Sequence, residues 1–253
     1  MSPAPRRPGG GSAAPPDLAT VADLLWRVGA ERTADGRPRL TPRRIVDAAV
    51  AVVDADGLDA LSMQRVATEL GCTAMALYRH VPGREHLLAA MADAAGGRPP
   101  VATGAGWRAE VEAWVDALWS TYGRHPWMVR IPTASAPVGP NELAWFEALL
   151  SPLARSGVGR GELIPLATFI SGAVRDLARI ATELDPAGAA SYGRILAERL
   201  DPGNFPTLCA LAGEPGLGEG EDEDGAVEPI VACGIARLLD GIENSSPARE
   251  GNG

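Results

Sequence analysis

The stretch Leu61-Ser62-Met63-Gln64-Arg65-Val66-Ala67-Thr68-Glu69-Leu70-Gly71-Cys72-Thr73-Ala74-Met75-Ala76-Leu77-Tyr78-Arg79-His80-Val81 decides how the chain folds. Ser62 stands where it caps a short helix that carries Val66 and Leu70 inward, and Gly71 ends that helix. Only Cys72 separates the glycine from Thr73, the expected cap of a further short helix from Ala74 to about His80. Two short helices joined by so tight a turn have no slack for antiparallel packing and must cross steeply. This is a helix-turn-helix arrangement, over about residues 62–81. Leu77 and Val81, four apart, are its expected buried side, which leaves Thr73, Ala74, Met75, Ala76, Tyr78 and Arg79 outward or at the tip.

The neighbouring segments extend the pattern. Upstream, Thr41-Pro42 reads as an N-cap followed by proline at the first helical position, and Ile45, Ala49, Val52 and Val53 make one apolar face before Asp56-Gly57 stops the helix. An additional helix, from Asp17 to roughly Arg32, carries Leu18, Val21, Leu24, Leu25 and Val28, and Asp35-Gly36-Arg37-Pro38 breaks it. Residues 1–16, rich in proline, glycine and alanine, are expected to be a disordered arm. Downstream, Pro82-Gly83 precedes a helix marked by Leu87, Leu88, Met91 and Ala94, which runs to the break at Gly96-Gly97-Arg98-Pro99-Pro100.

The rest reads as helix throughout. Trp107, Val111, Trp114, Leu118 and Tyr122 share one face, and further helices are expected over about 141–155, 161–184, 187–200 and 228–242. No run alternates as a strand would, so the fold class is all-α. Gly213 to Gly225, with Glu221-Asp222-Glu223-Asp224 at its centre, is expected to be a solvated acidic loop.

Composition bounds what such a chain does. Its 253 residues suffice for about two domains at roughly 150 residues each. Net charge is −9, and every one of the 23 basic residues is arginine, a balance that argues against nonspecific coating of nucleic acid or of an anionic membrane. The first sixteen residues have no apolar stretch behind their arginines, and the longest apolar run, Leu163 to Val174, contains Pro165 and is too short to span a bilayer; a cytoplasmic protein without membrane contact is expected. Cys72, Cys209 and Cys233 are odd in number and far apart, so they are expected to be small buried hydrophobes and not metal ligands. His80, His86 and His125 lack zinc-protease spacing, no nucleophile elbow or Walker motif occurs, and neither Gly157-x-Gly159-x-Gly161 nor Gly216-x-Gly218-x-Gly220 follows a strand. No enzyme, cofactor or metal is expected.

The helix-turn-helix with its flanks resembles the DNA-binding region of the TetR family of transcriptional regulators, of the TetR/AcrR type. The likeness runs from Pro42 to Ala95 through Ile45-Val46-Asp47-Ala48-Ala49, Gly57-Leu58-Asp59-Ala60-Leu61-Ser62, Leu77-Tyr78-Arg79-His80-Val81 and Arg84-Glu85-His86-Leu87-Leu88. It implies a homeodomain-like domain of three helices over 37–98, reached through an extension helix and linker over 17–36. A fourth helix joins it to an all-helical ligand-binding and dimerisation domain over 99–253, which matches in character alone. Ala74, Met75 and Ala76 have no hydrogen-bonding side chains and read only thymine methyl groups and shape, so Gln64 is the candidate for polar base readout. Tyr78 and His80 look like the family's phosphate-contacting pair, with Thr73 adding a hydroxyl. Arg84 is expected on a phosphate, Arg43, Arg44 and Arg65 add to the electrostatic footprint, and outward-facing Arg79 is counted among the DNA-binding residues. By itself Gln64 is equally an ordinary exposed helix residue, and Tyr78 equally half-buried packing.

The resemblance further implies a dimer that binds a palindromic operator and is released when a small apolar or drug-like molecule occupies the C-terminal domain. Candidates for that pocket are Trp114, Trp119, Tyr122, Trp127, Trp145 and Phe146, with polar groups from His125, Asn141 and Arg175. Core packing is the competing role for each aromatic. Gly139-Pro140-Asn141 resembles a helix entry of actinobacterial-type relatives, so Asn141 is alternatively a cap. Helices over about 161–184 and 228–242 resemble the pair that forms family homodimers. The rival reading is a helical ligand-binding protein whose head has lost DNA affinity, which the polar-poor turn Ala74-Met75-Ala76 leaves open.

Overall fold

The fold comes from a computed structural model that describes residues 17–30, 40–131, 137–183, 195, 198–212 and 229–245. Among these the chain is helical without a strand: α1 (Leu18–Ala30), α2 (Pro42–Asp56), α3 (Met63–Glu69), α4 (Ala74–Tyr78), α5 (Arg84–Gly96), α6 (Trp107–Arg124), α7 (Pro140–Arg155), α8 (Leu163–Glu183), α9 (Pro206–Ala212) and α10 (Pro229–Ser245). The all-α class and the head of helices joined by a linking helix to a helical C-terminal unit are as the sequence indicates.

Local capping starts the three helices of the head. The Thr41, Ser62 and Thr73 hydroxyls accept hydrogen bonds from the Arg44, Arg65 and Ala76 amides at 3.3, 3.1 and 3.3 Å. Each satisfies one of the orphan N–H groups at a helix start, worth about 1 kcal/mol. Gly57 (φ 83°) and Gly71 (φ 65°) occupy the left-handed region where α2 and α3 end, which other residues adopt at a cost. The α3–α4 turn is therefore as tight as its sequence requires.

Two apolar clusters form the core. The first joins Val21, Leu24, Leu25 and Val28 of α1 to Ile45, Val46, Ala49 and Val53 of α2, Val66 and Ala67 of α3, Leu77 of α4, Val81, and Leu87, Leu88 and Met91 of α5. The second gathers Val111, Trp114, Leu118 and Tyr122 of α6 with Leu149 and Leu153 of α7, Ala167, Ile170 and Val174 of α8, and Ile235, Leu239 and Ile242 of α10. Full burial of each large aliphatic is worth about 1.5–3 kcal/mol, so the two clusters dominate stability. Trp127 and Ile131, beyond α6 in the chain, belong to the first cluster, and Met128 touches both.

Several expectations are corrected. Leu18 opens α1 but is 47% exposed, because it precedes the face that packs. The helix of α4 closes at Tyr78, with Arg79 as its C-cap, one turn and no more after its start. None of the cysteines is buried: Cys72 and Cys209 are half-buried and Cys233 is exposed. The helix α9 was not anticipated; Asp201 organises the turn before it, accepting from Gly203 N at 3.2 Å and Asn204 Nδ2 at 2.7 Å. The arm at 1–16, the acidic loop at 213–225 and most of the helix expected at 187–200 lie outside the described residues. No described helix is long and apolar enough to cross a membrane.

Candidate functional site

Leu77, the buried residue of α4, and Val81 just beyond it have no exposed surface, and they fix which side of the short helix faces out. The opposite side presents Met75, 71% exposed, Tyr78, 47% exposed, and Arg79, with Thr73 exposed at the tip and Ala74 and Ala76 half-buried. On α3 the buried residues Met63, Val66 and Ala67 leave Gln64 and Arg65 in solvent. Among the described residues the Gln64 amide has no hydrogen-bond partner, and Arg79 has no ion pair. His80 is half-buried.

Two other arginines of the head are held internally. Arg65 pairs with Asp56 at 3.0 Å, and Arg43 with Asp47 at 2.8 Å. At the start of α5, Arg84 donates to the Leu61 carbonyl at 3.5 Å and lies 4.0 Å from Glu85. The two carboxylate pairs are exposed, worth little each and replaceable by a phosphate.

The C-terminal unit holds a cavity of about 290 Å³ between α6, α7 and the segment 100–103. Of the nine side chains expected at a ligand, Trp114 alone lines it. The others are committed elsewhere. His125 donates from Nδ1 to Asp54 Oδ1 of α2 at 2.8 Å, and Trp127 donates to the same oxygen at 2.6 Å. Arg175 binds the carbonyls of Met128, Val129 and Ile131, so it closes the turn after α6. Asn141 stands in the first turn of α7, after the cap position held by Gly139, and donates from Nδ2 to Asp93 O and Oδ2 at 3.1 and 3.0 Å. Trp145 donates to the carbonyls of Gly96 and Gly97, which end α5, at 3.0 and 3.1 Å, while Trp114 donates to Trp145 O at 2.8 Å. The Trp114 and Trp145 rings meet edge to face at 5.6 Å. Tyr122 is buried, which pushes its phenol pKa up, and Trp119 and Phe146 are half-buried against the second core.

These bonds reveal functional residues that sequence reading missed. Asp93, on α5, is 2% exposed and accepts from Asn141 N at 3.0 Å and Glu142 N at 2.9 Å, so its carboxylate caps α7 from another helix. Burial pushes its pKa up to about 6, against the hydrogen bonds from α7 that favour the ion. An aspartate beside Leu87, Leu88 and Met91 on the packed side of a helix was the available signal. Trp26 of α1 likewise donates to Val138 O at 3.0 Å, just before α7. Thus α5 carries an arginine at its head end and is bound to α7, a wall of the cavity, at the other.

A family model described as bacterial regulatory proteins, tetR family, matches residues 45–91, and one described as tetracyclin repressor-like, C-terminal domain, matches residues 99–245. The chain is 34% identical over 249 residues to the HTH-type transcriptional repressor DrrR1 of Streptomyces coeruleorubidus, covering 93% of this chain and 89% of that protein. It is also 34% identical over 146 residues to an HTH-type transcriptional regulator of Saccharopolyspora erythraea, covering 57% of this chain and 62% of the other. Among solved structures, the TetR family protein ActR of Streptomyces coelicolor in complex with actinorhodin superposes with a TM-score of 0.69 at 27% identity, over 83% of this chain and 99% of that one.

Proposed function

Because the chain belongs to the TetR family of bacterial transcriptional regulators, we propose that it is a ligand-responsive repressor that binds a palindromic operator as a homodimer and leaves it when a small molecule fills the cavity of its C-terminal domain. The observation that carries this reading is α5: Arg84 at one end adjoins the head, and Asp93, Gly96 and Gly97 at the other are hydrogen-bonded to α7, which walls the cavity. A molecule that shifts α7 therefore shifts the heads. Release requires only that it bind the shifted form more tightly than the operator-bound form.

The domains run over 37–98 for DNA and 99–253 for ligand and dimer, with 17–36 as the extension. On the DNA side Gln64 reads a base edge, Ala74, Met75 and Ala76 read methyl groups and shape, and Thr73, Tyr78, His80 and Arg84 hold phosphates, with Arg65 and Arg79 alongside. Support comes from the exposure of Gln64, Met75, Tyr78 and Arg79 on the side of α3 and α4 that packing leaves free. On the dimer side α8 and α10 pack together and expose Ile164, Phe169, Ile180 and Ile230. Apolar side chains in that number on one pair of helices support a second copy as their cover.

The test is titration of the full-length protein against DNA flanking its own coding region, at two salt concentrations, beside Phe169→Asp. Saturable binding to one palindrome by a dimer, with a monomeric and weakly binding variant, supports the reading. Failure to prefer any palindrome overturns it and favours the rival, a ligand-binding protein with a silent head.

A further inference from the structure

We infer that the cavity between α6 and α7 takes an organic cation, an apolar flat body bearing a protonated amine, with Glu147 as the partner of its charge. This rests on the cavity being the effector site. Its walls are mainly apolar, with Thr103 and Ser151 as neutral polar members: Val101, Trp114 and Pro152 supply bulk, while Ala113, Ala144 and Ala148 are small enough to leave the space open. At about 290 Å³ it lies near the lower end of ligand pockets, which suits a small fused-ring body.

Among the described residues the charged side chains in the lining are two carboxylates, Glu110 and Glu147, with no arginine or histidine. They differ in state. Glu110 is 8% exposed, accepts from Gly104 N at 3.1 Å and is paired with Arg155, so its charge is already answered. Glu147 is exposed and has neither hydrogen bond nor ion pair among the described residues. A bare carboxylate beside an apolar wall attracts a cation that brings its own apolar surface, because that ligand satisfies both at once.

Two wall residues have no donor to offer an anion. The Trp114 N–H is spent on Trp145 O, so the indole offers the cavity no donor. Pro152, in the same wall, has no backbone N–H to give. An anion meets repulsion from Glu147, and residues 99–253, with eleven arginines against twenty-one acidic residues, repel it at longer range.

The test uses the full chain without DNA and a matched acridine series at mildly alkaline pH, where aminoacridine is a cation, acridine is neutral and acridine carboxylate is an anion. Binding is followed by calorimetry for the native protein, Glu147→Gln and Ala144→Phe. Aminoacridine binding most tightly, weakened about five-fold by Glu147→Gln while acridine is unaffected, is the expected result; five-fold is the upper end for an exposed ion pair. Equal affinity for aminoacridine and acridine, or no effect of Glu147→Gln, overturns the cation preference while leaving the cavity as the site. Binding that survives Ala144→Phe, which fills the cavity from an exposed position, places the probes elsewhere and overturns the effector site itself. No binding by any of the three overturns the ligand class.

Discussion

Replacing Gly139 by alanine adds one methyl group where the protein has no room for it. The residue has an ordinary extended backbone, φ −81° and ψ 154°, so alanine brings no conformational strain. Its Cβ, however, would lie 2.2 Å from Asp93 Oδ1 and 2.6 Å from Asp93 Cγ. The carboxylate must leave, and it abandons the Asn141 and Glu142 amides and the Asn141 side chain, which it holds at 2.9–3.0 Å. Three such bonds at about 1 kcal/mol each amount to about 3 kcal/mol. In a chain of this size that lowers Tm by roughly 6–12 °C, measurable by differential scanning calorimetry. Asp93→Ala removes the obstruction as well as the cap, so adding Gly139→Ala to it should cost less than about 0.5 kcal/mol. A Tm within about 2 °C of the native value for Gly139→Ala, or strict additivity in the double variant, would refute the clamp between α5 and α7.

The same aspartate makes stability depend on pH. Its folded pKa of about 6 exceeds the ordinary 3.8, so the folded state holds this proton more tightly, and the linked stabilisation is complete below about pH 4 and lost as pH rises through about 6. Relative to Asp93→Asn, the native protein should lose up to about 3 kcal/mol across that window in denaturant titrations, and a pH-independent difference would contradict it. Tyr78→Ala should weaken binding to every DNA sequence alike, whereas Gln64→Ala should relax preference at one position per half-site; anisotropy titrations over a set of operator variants separate the two. Asp54→Ala strands the Trp127 and His125 donors and should lower Tm by roughly 3–6 °C, a shift that calorimetry either finds or does not.

What could be read in advance was local. The caps at Thr41, Ser62 and Thr73 and the inward pair Leu77 and Val81 depend on residues within a turn of one another, so the order of residue types contains them. The destinations of the indole and imidazole N–H groups are tertiary. Trp127 and Asp54 are 73 residues apart, and Trp145 and Gly96 are 49 apart, so nothing near Trp127 or Trp145 announces its partner. That is why eight residues expected near a ligand, grouped by their aromatic or polar type, divide instead between an interdomain clamp, a turn closure and the core. The cavity itself is made by alanines, whose defining property, absent bulk, leaves no motif.

For the operator binding proposed above, the arginine–carboxylate pairs on the head bear on how one site is found in a whole chromosome. Arg43 and Arg65 already have Asp47 and Asp56 as counterions, so each must exchange one partner for another on meeting a phosphate and gains little from arbitrary DNA. Bulk DNA competes for a regulator through the number of its sites multiplied by their affinity. A head that is internally neutralised lowers the second factor without touching the contacts proposed for Gln64 and the α4 tip. In that role, fewer copies of the protein would be held idle along the genome, and a smaller cellular supply would keep one operator occupied.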